Sequence, residues 1–214
     1  MKGLLKNNFY ATLSGAKILA AVMVLSGAFI TAVISQSLLI AYIVLGIIGF
    51  SETAAGIVRD EFSSKWGKYK LTLPVRRADI IKSQYVNQLI WMAVGTLFAA
   101  TVTVLSWLLH GSLFDIPLDI VTTFVMGISM SLFMGAVFFP LFYLIGEEKG
   151  SIFIGLSLVC AFLLDYAIVS LINYFVEPGP QSRLLGIIAL SALSVLAFLL
   201  SCPITVRIFK RKEC

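Results

Sequence analysis

Six apolar runs, at about 18–34, 38–58, 86–109, 118–145, 151–175 and 184–206, leave this chain few folds to choose from. As a helix, a run of roughly 20 residues crosses a hydrocarbon core of about 30 Å. Inside lipid only helices and closed barrels satisfy every backbone polar group, and unbroken apolar runs of this length read as helices. The chain is 59% hydrophobic and 13% charged, whereas a soluble domain carries about 25% charge. The reading is an all-α integral membrane protein with six transmembrane helices. The spans take up most of the 214 residues, which predicts a single transmembrane domain over 1–214 without an added soluble domain.

The cations set the orientation. Every Lys and Arg except Arg183 falls at the start of the chain, in the polar stretch after span 2, between spans 4 and 5, or after span 6. Those positions share one side of the membrane. The positive-inside rule then puts both termini and the 59–85 segment in the cytoplasm. Net charge +5 and pI ≈ 9.2 follow from this topology and do not call for a nucleic-acid partner. Within the first 17 residues Leu4, Leu5, Phe9 and Leu13 share a helical face while Lys2, Lys6, Asn7 and Ser14 occupy the rest. This fits an N-terminal amphipathic helix in the interface. A basic start before an apolar run imitates a signal peptide, but the segment is long for one and further spans follow, so it reads as retained. Cys160 and Cys202 lie inside apolar runs and the external loops hold no cysteine, so no structural disulfide is expected.

The usual catalytic patterns are missing. There is no phosphate-binding G-x-x-x-x-G-K-[ST] loop, no H-E-x-x-H, no G-x-S-x-G and no Cys/His cluster, and His110 is the sole histidine. A metal site and an intramembrane enzyme are both disfavoured.

The long polar stretch at 59–82 is the exception in an otherwise membrane-soluble chain. It holds seven of the sixteen Lys/Arg residues (Arg59, Lys65, Lys68, Lys70, Arg76, Arg77, Lys82) and the acids Asp60, Glu61 and Asp79. As a helix over 61–73 it would place Phe62, Trp66, Tyr69 and Leu73 in one stripe. Pro74 ends that helix, because proline lacks a donor and restricts the residue before it. A second helix from Ala78 would run into span 3, with Asp79 in its first turn, where a helix dipole favours a carboxylate. Passive return to the membrane needs far less, as the short Gly146–Gly150 connection shows. The stretch is therefore either an interfacial helix anchored by rings and lysines or a docking element for a cytoplasmic partner.

Trp66, Tyr69, Leu71, Thr72, Leu73, Pro74, Val75, Arg76, Asp79, Ile80, Ile81 and Lys82 stand in an order that resembles the segment after the second helix of small six-helix permeases of the ABC-2 type. Those permeases commonly have Ser where this chain has Arg76 followed by Arg77. The resemblance implies that the stretch is a coupling helix seated on a separate ABC ATPase subunit, which would bind the ATP and Mg²⁺ that this chain does not. Two permease chains, a homo- or heterodimer, would join two ATPases in the bacterial plasma membrane. Small size and short external loops are similar to exporters of amphipathic peptides. On that footing Phe62, Trp66 and Tyr69 would fill the partner groove with Leu73 and Pro74 closing the element, while Asp60, Glu61, Lys68 and Lys70 would set register at its rim.

Two acids lie within spans, where charge is costly and usually faces protein or water. Glu52 shares a face with Arg59, so an ion pair competes with a place on a translocation path. Asp165 would either line that path or pair with a group such as Asn173 or Tyr166. Gly127, Ser131 and Gly135 form a small-residue face for close helix approach. Pro140 frees the carbonyl of Ala136 and Pro203 that of Leu199, making two candidate hinges. The sequence thus favours the permease subunit of an ATP-driven exporter of an amphipathic or hydrophobic substrate. An immunity protein that binds a toxin, an intramembrane enzyme and a proton-coupled carrier remain as rivals.

Overall fold

The computed structural model describes residues 2–32, 35–63, 76–111, 117–146, 150–177 and 179–212. They form six helices: α1 (Lys2–Ala32), α2 (Gln36–Ser63), α3 (Arg77–His110), α4 (Pro117–Ile145), α5 (Gly150–Phe175) and α6 (Pro180–Lys212). All six are long and apolar enough to cross a membrane, and no strand occurs among the described residues. The chain is an all-α membrane protein.

The helices alternate in direction. One end of the bundle gathers the starts of α1, α3 and α5 and the finishes of α2, α4 and α6. There Asn8 meets Ser83, Arg59 meets Ser151 and Gln84 meets Tyr143. At the other end His110 Nε2 lies 2.6 Å from the Thr31 carbonyl, and Arg183 pairs with Asp119. Most described Lys and Arg residues sit at the first end; Arg183 is at the other, and Lys17 is exposed midway along α1. Long side chains placed like Lys17 reach the interface by extending their stems along the helix.

The amphipathic N-terminal stretch is continuous with the first span. α1 runs 31 residues without a break, about 46 Å at 1.5 Å per residue. Tertiary contacts hold its first turns. Leu4, Asn8, Thr12 and Ala16 recur every four residues and are buried, and the Phe9 ring stacks on Trp91 with centroids 5.1 Å apart.

Two apolar clusters fill the interior. One lies among α1, α2 and α3 and centres on Tyr42, Ile43, Ile47, Phe50 and Trp91. The other joins α2 through α6 and is rich in rings: Tyr85, Phe138, Phe139, Phe142, Tyr143, Phe153, Phe198 and Phe209. α4 and α6 make the most extensive helix pair. Close approach of α2 and α3 depends on Gly95. A Cβ there would stand 2.8 Å from the Gly46 carbonyl and 3.1 Å from the Ile47 Cα, and neither backbone atom can swing aside. Gly95→Ala should therefore lower stability by about 1–3 kcal/mol, read as a fall in the unfolding midpoint in detergent. Gly56→Ala, with nothing within 4 Å of the added carbon, should hold or raise it.

Candidate functional site

The first turns of α3 carry Ser83, Gln84, Tyr85, Asn87 and Gln88, all buried. Residues this polar and this closely spaced cannot all share one face of a helix. They point around its circumference, and each finds a different neighbour. Asn8 Nδ2 of α1 donates to Ser83 Oγ at 3.1 Å, and Asn87 Nδ2 donates to Thr12 Oγ1 of α1 at 2.9 Å. The direction is fixed, since the Ser83 and Thr12 hydroxyls already donate to the Ile80 and Asn8 carbonyls. Gln88 Nε2 donates to Ser51 Oγ of α2 at 3.0 Å and to the Ser131 carbonyl of α4 at 2.9 Å. Tyr143 of α4 donates to Gln84 Oε1 at 2.6 Å. Tyr85 reaches Ser201 Oγ and Thr205 Oγ1 of α6, both at 2.8 Å. One short stretch of α3 is thereby tied to α1, α2, α4 and α6.

The tie to α6 continues into α4. Pro140 has no N–H to give the Ala136 carbonyl, and Ser201 Oγ donates to that carbonyl at 2.7 Å. A hydroxyl from a neighbouring helix thus satisfies the acceptor that proline leaves in lipid. Thr205 Oγ1 also donates to the Ser201 carbonyl. Tyr85, Ser201 and Thr205 supply three hydroxyl protons to four close oxygen contacts, so one contact lacks a proton in any arrangement. The Tyr85 ring is held against Phe139 at 4.4 Å and Phe198 at 4.9 Å. The hub is incompletely paired elsewhere too: Gln84 Nε2, Asn87 Oδ1, Gln88 Oε1, Trp91 Nε1 and Ser131 Oγ are buried without a protein partner among the described residues.

The small-residue face of α4 lies against this hub. A Cβ on Gly135 would overlap the Gln88 amide, and one on Gly127 would stand 3.0 Å from Ile47 Cδ1. Ser131, between them, is buried and lends Gln88 its carbonyl. Pro140 lies one turn beyond Ala136, whereas Pro203 is exposed on α6.

The acids sit differently from the sequence expectation. Asp165 is 1% exposed and lies against α4, where Ser129 Oγ approaches its carboxyl oxygens at 3.1 and 3.0 Å. Its partner is Ser129, while Asn173 and Tyr166 are exposed. Glu52 is half-buried and does not pair with Arg59. The Arg59 guanidinium goes to Asp60 at 2.9 Å and to Ser151 at 3.0 Å, its stem lying over Gly150 of α5. Two helical turns separate residues 52 and 59, and α5 offers Arg59 a nearer partner. Asp60 is otherwise exposed and Glu61 is buried at the end of α2. Both line a groove of about 550 Å³ between α1 and α2, with Asn7, Ser14 and Thr53. Phe62 falls in α2, but its side chain, and the whole of Trp66, Lys68, Tyr69, Lys70, Leu73 and Pro74, lie outside the described residues.

Sequence reasoning passed over Asn8, Ser51, Gln84, Asn87, Gln88, Ser129 and Ser201. A signal existed for α3, where five polar residues in six positions open a membrane span. The serines gave none, since a lone serine in a span can bond its own helix.

These features define a polytopic helical membrane protein whose helices meet at one buried polar hub beside a basic face. Residues 3–210 match the family described as ABC-2 family transporter protein. The chain belongs to that family, and is a membrane component of a transporter rather than a catalyst in itself. No curated protein and no solved structure matches it.

If Ser201 compensates for Pro140, the two positions must be coupled. Ser201→Ala should cost about 0.5–1.5 kcal/mol, the range of hydrogen bonds between membrane helices. In a Pro140→Ala background the cost should shrink by at least half, because the substituted residue brings an N–H that serves the Ala136 carbonyl from within the helix. A double-mutant cycle on unfolding in mixed micelles measures this; additive costs would refute the link.

Proposed function

We propose that this chain is the permease subunit of an ATP-driven exporter, working as a dimer with ABC ATPase subunits in a bacterial plasma membrane. The observation that carries the reading is where the polar stretch leads. The 64–75 segment joins the end of α2 to the start of α3, and α3 carries the hub within its first turns. A partner that pulls on this segment pulls first on the helix bonded to α1, α2, α4 and α6. Family membership supports the same reading.

In this scheme Trp66, Tyr69 and Phe62 anchor in the ATPase, flanked by Leu73 and Pro74, with Asp60, Glu61, Lys68 and Lys70 at the rim. ATP and Mg²⁺ bind to that partner. Closure of the ATPase pair shifts α3, and the hub exchanges hydrogen-bond partners, since its spare donors and acceptors supply alternatives. Gly127 lets α4 stay close to α2, Ser131 and Gly135 seat the Gln88 amide of α3, and Pro140 and Pro203 give α4 and α6 places to bend. Glu52, half-buried near the basic end, is the better path residue of the two acids; Asp165 serves the α4–α5 seam. The substrate is amphipathic or hydrophobic, because the spans offer mostly apolar walls.

Affinity purification of the tagged chain from its native membrane should bring down an ABC ATPase, whose hydrolysis rises when the chain is present. Trp66→Ala should lower recovery of that subunit about thirtyfold, the loss of one interface anchor worth about 2 kcal/mol. An intact complex with unchanged hydrolysis would refute the reading.

A further inference from the structure

A groove of about 400 Å³ opens between α3 and α6 at the basic end of the bundle. Its floor is apolar: Ala78, Cys202, Pro203 and Val206. Lys82 of α3 and Arg207 and Lys210 of α6 stand around it, and all three are exposed. Among the described residues, no Asp or Glu lines the groove. None of the three cations forms an ion pair or hydrogen bond with a described residue, whereas Arg59 and Arg183 both hold acids.

The placement says what such a groove takes. Lys82 is five residues inside the start of α3 and Arg207 five from the end of α6, about 7–8 Å of helix in each case. That is the depth where span gives way to headgroup, on the side the cation distribution marks as cytoplasmic. Leu199, four residues before Pro203 on the same face of α6, is exposed, so the apolar floor continues toward the hydrocarbon. Three cations over an apolar track match a phosphate with an acyl chain attached. A soluble anion would use the cations but not the floor, and an acidic protein surface could not follow the track into the bilayer.

We propose that this groove binds an anionic phospholipid, its headgroup phosphate held by Lys82, Arg207 and Lys210 and an acyl chain laid over Pro203 and Val206. The bound lipid braces α3 against α6 beside the Tyr85, Ser201 and Thr205 contacts, since Cys202 and Val206 adjoin Ser201 and Thr205 in sequence.

The test is native mass spectrometry of the purified full chain in non-ionic detergent, titrated with dioleoylphosphatidylglycerol, dioleoylphosphatidylcholine or inorganic phosphate. Phosphatidylglycerol should bind and phosphatidylcholine should not. Removing one cation should weaken binding about fivefold, and the triple change Lys82→Gln, Arg207→Gln, Lys210→Gln about a hundredfold. All three side chains are exposed, so the variant should stay monodisperse. A matched triple, Lys6→Gln, Lys17→Gln, Arg211→Gln, should remain within about twofold of the wild type. Equal binding of the two lipids, wild-type affinity in the groove variant, equal loss in the matched variant, or phosphate alone binding as well as the lipid would each overturn the proposal. Loss of a co-purified ATPase from the groove variant with lipid binding intact would make the patch a protein interface instead.

Discussion

The Ala136 carbonyl is the point on which the bundle turns. Pro140 takes away its helical donor in a place where lipid offers no substitute, so the carbonyl must find a partner on another helix. Ser201 of α6 closes that gap. The repair fixes more than one oxygen. It pins α6 to α4 at a set height, and Ser201 in turn touches the Tyr85 hydroxyl of α3. Three helices are placed relative to one another by a defect in one of them. A proline that would otherwise only weaken α4 becomes a specific docking point, because only a donor at that height and angle can satisfy the carbonyl.

The same logic explains why α3 bears so many amides and hydroxyls. Association of helices in lipid gains nothing from the hydrophobic effect; it relies on close packing and on hydrogen bonds of roughly 0.6 kcal/mol each. Single bonds of that size specify little. Several of them spaced around one helix reject most wrong rotations, because each misplacement strands more than one buried group. Glycines supply the complementary term. Gly95 brings α3 against the α2 backbone, and Gly135 makes room for the Gln88 amide that bonds α2 and α4 together. Polar matching and small residues are one device here, since the amide cannot reach Ser131 unless position 135 lacks a side chain.

How much of this the sequence disclosed follows from the range of each interaction. The spans were legible because crossing a bilayer is a local demand on length and polarity, met residue by residue. Loss of the Ala136 hydrogen bond was legible for the same reason, being a consequence of Pro140 four residues on. Its replacement was not, since Ser201 lies 65 positions away and resembles every other serine in a span. Asp165 shows the same limit: its need for a partner is local, while Ser129 as that partner is tertiary. Helical spacing offered Arg59 an ion pair with Glu52 as one alternative; in the structure the adjacent Asp60 takes the ion pair and Ser151 of α5 takes a further donor. The N-terminal stretch read as an amphipathic helix because its lysines and leucines segregate. Asn8 and Thr12, which dock it on α3, carried no sign of being wanted inside.

The two apolar clusters give the hub a mechanical meaning. One cluster belongs to α1, α2 and α3, the other to α2 through α6, and they share only partly buried neighbours such as Met92 and Ile128. Gln88 bonds Ser51 of α2 and the Ser131 carbonyl of α4, within the region where both clusters draw on α2 and α3. Interlocked rings resist sliding, because any small shift loses contact on many atoms at once. Hydrogen bonds with spare partners nearby exchange instead, losing one contact while making another. Movement of α3 would therefore carry each cluster as a body more readily than it would deform either, and the Gln88 bonds to α2 and α4 are where the two can shift relative to each other.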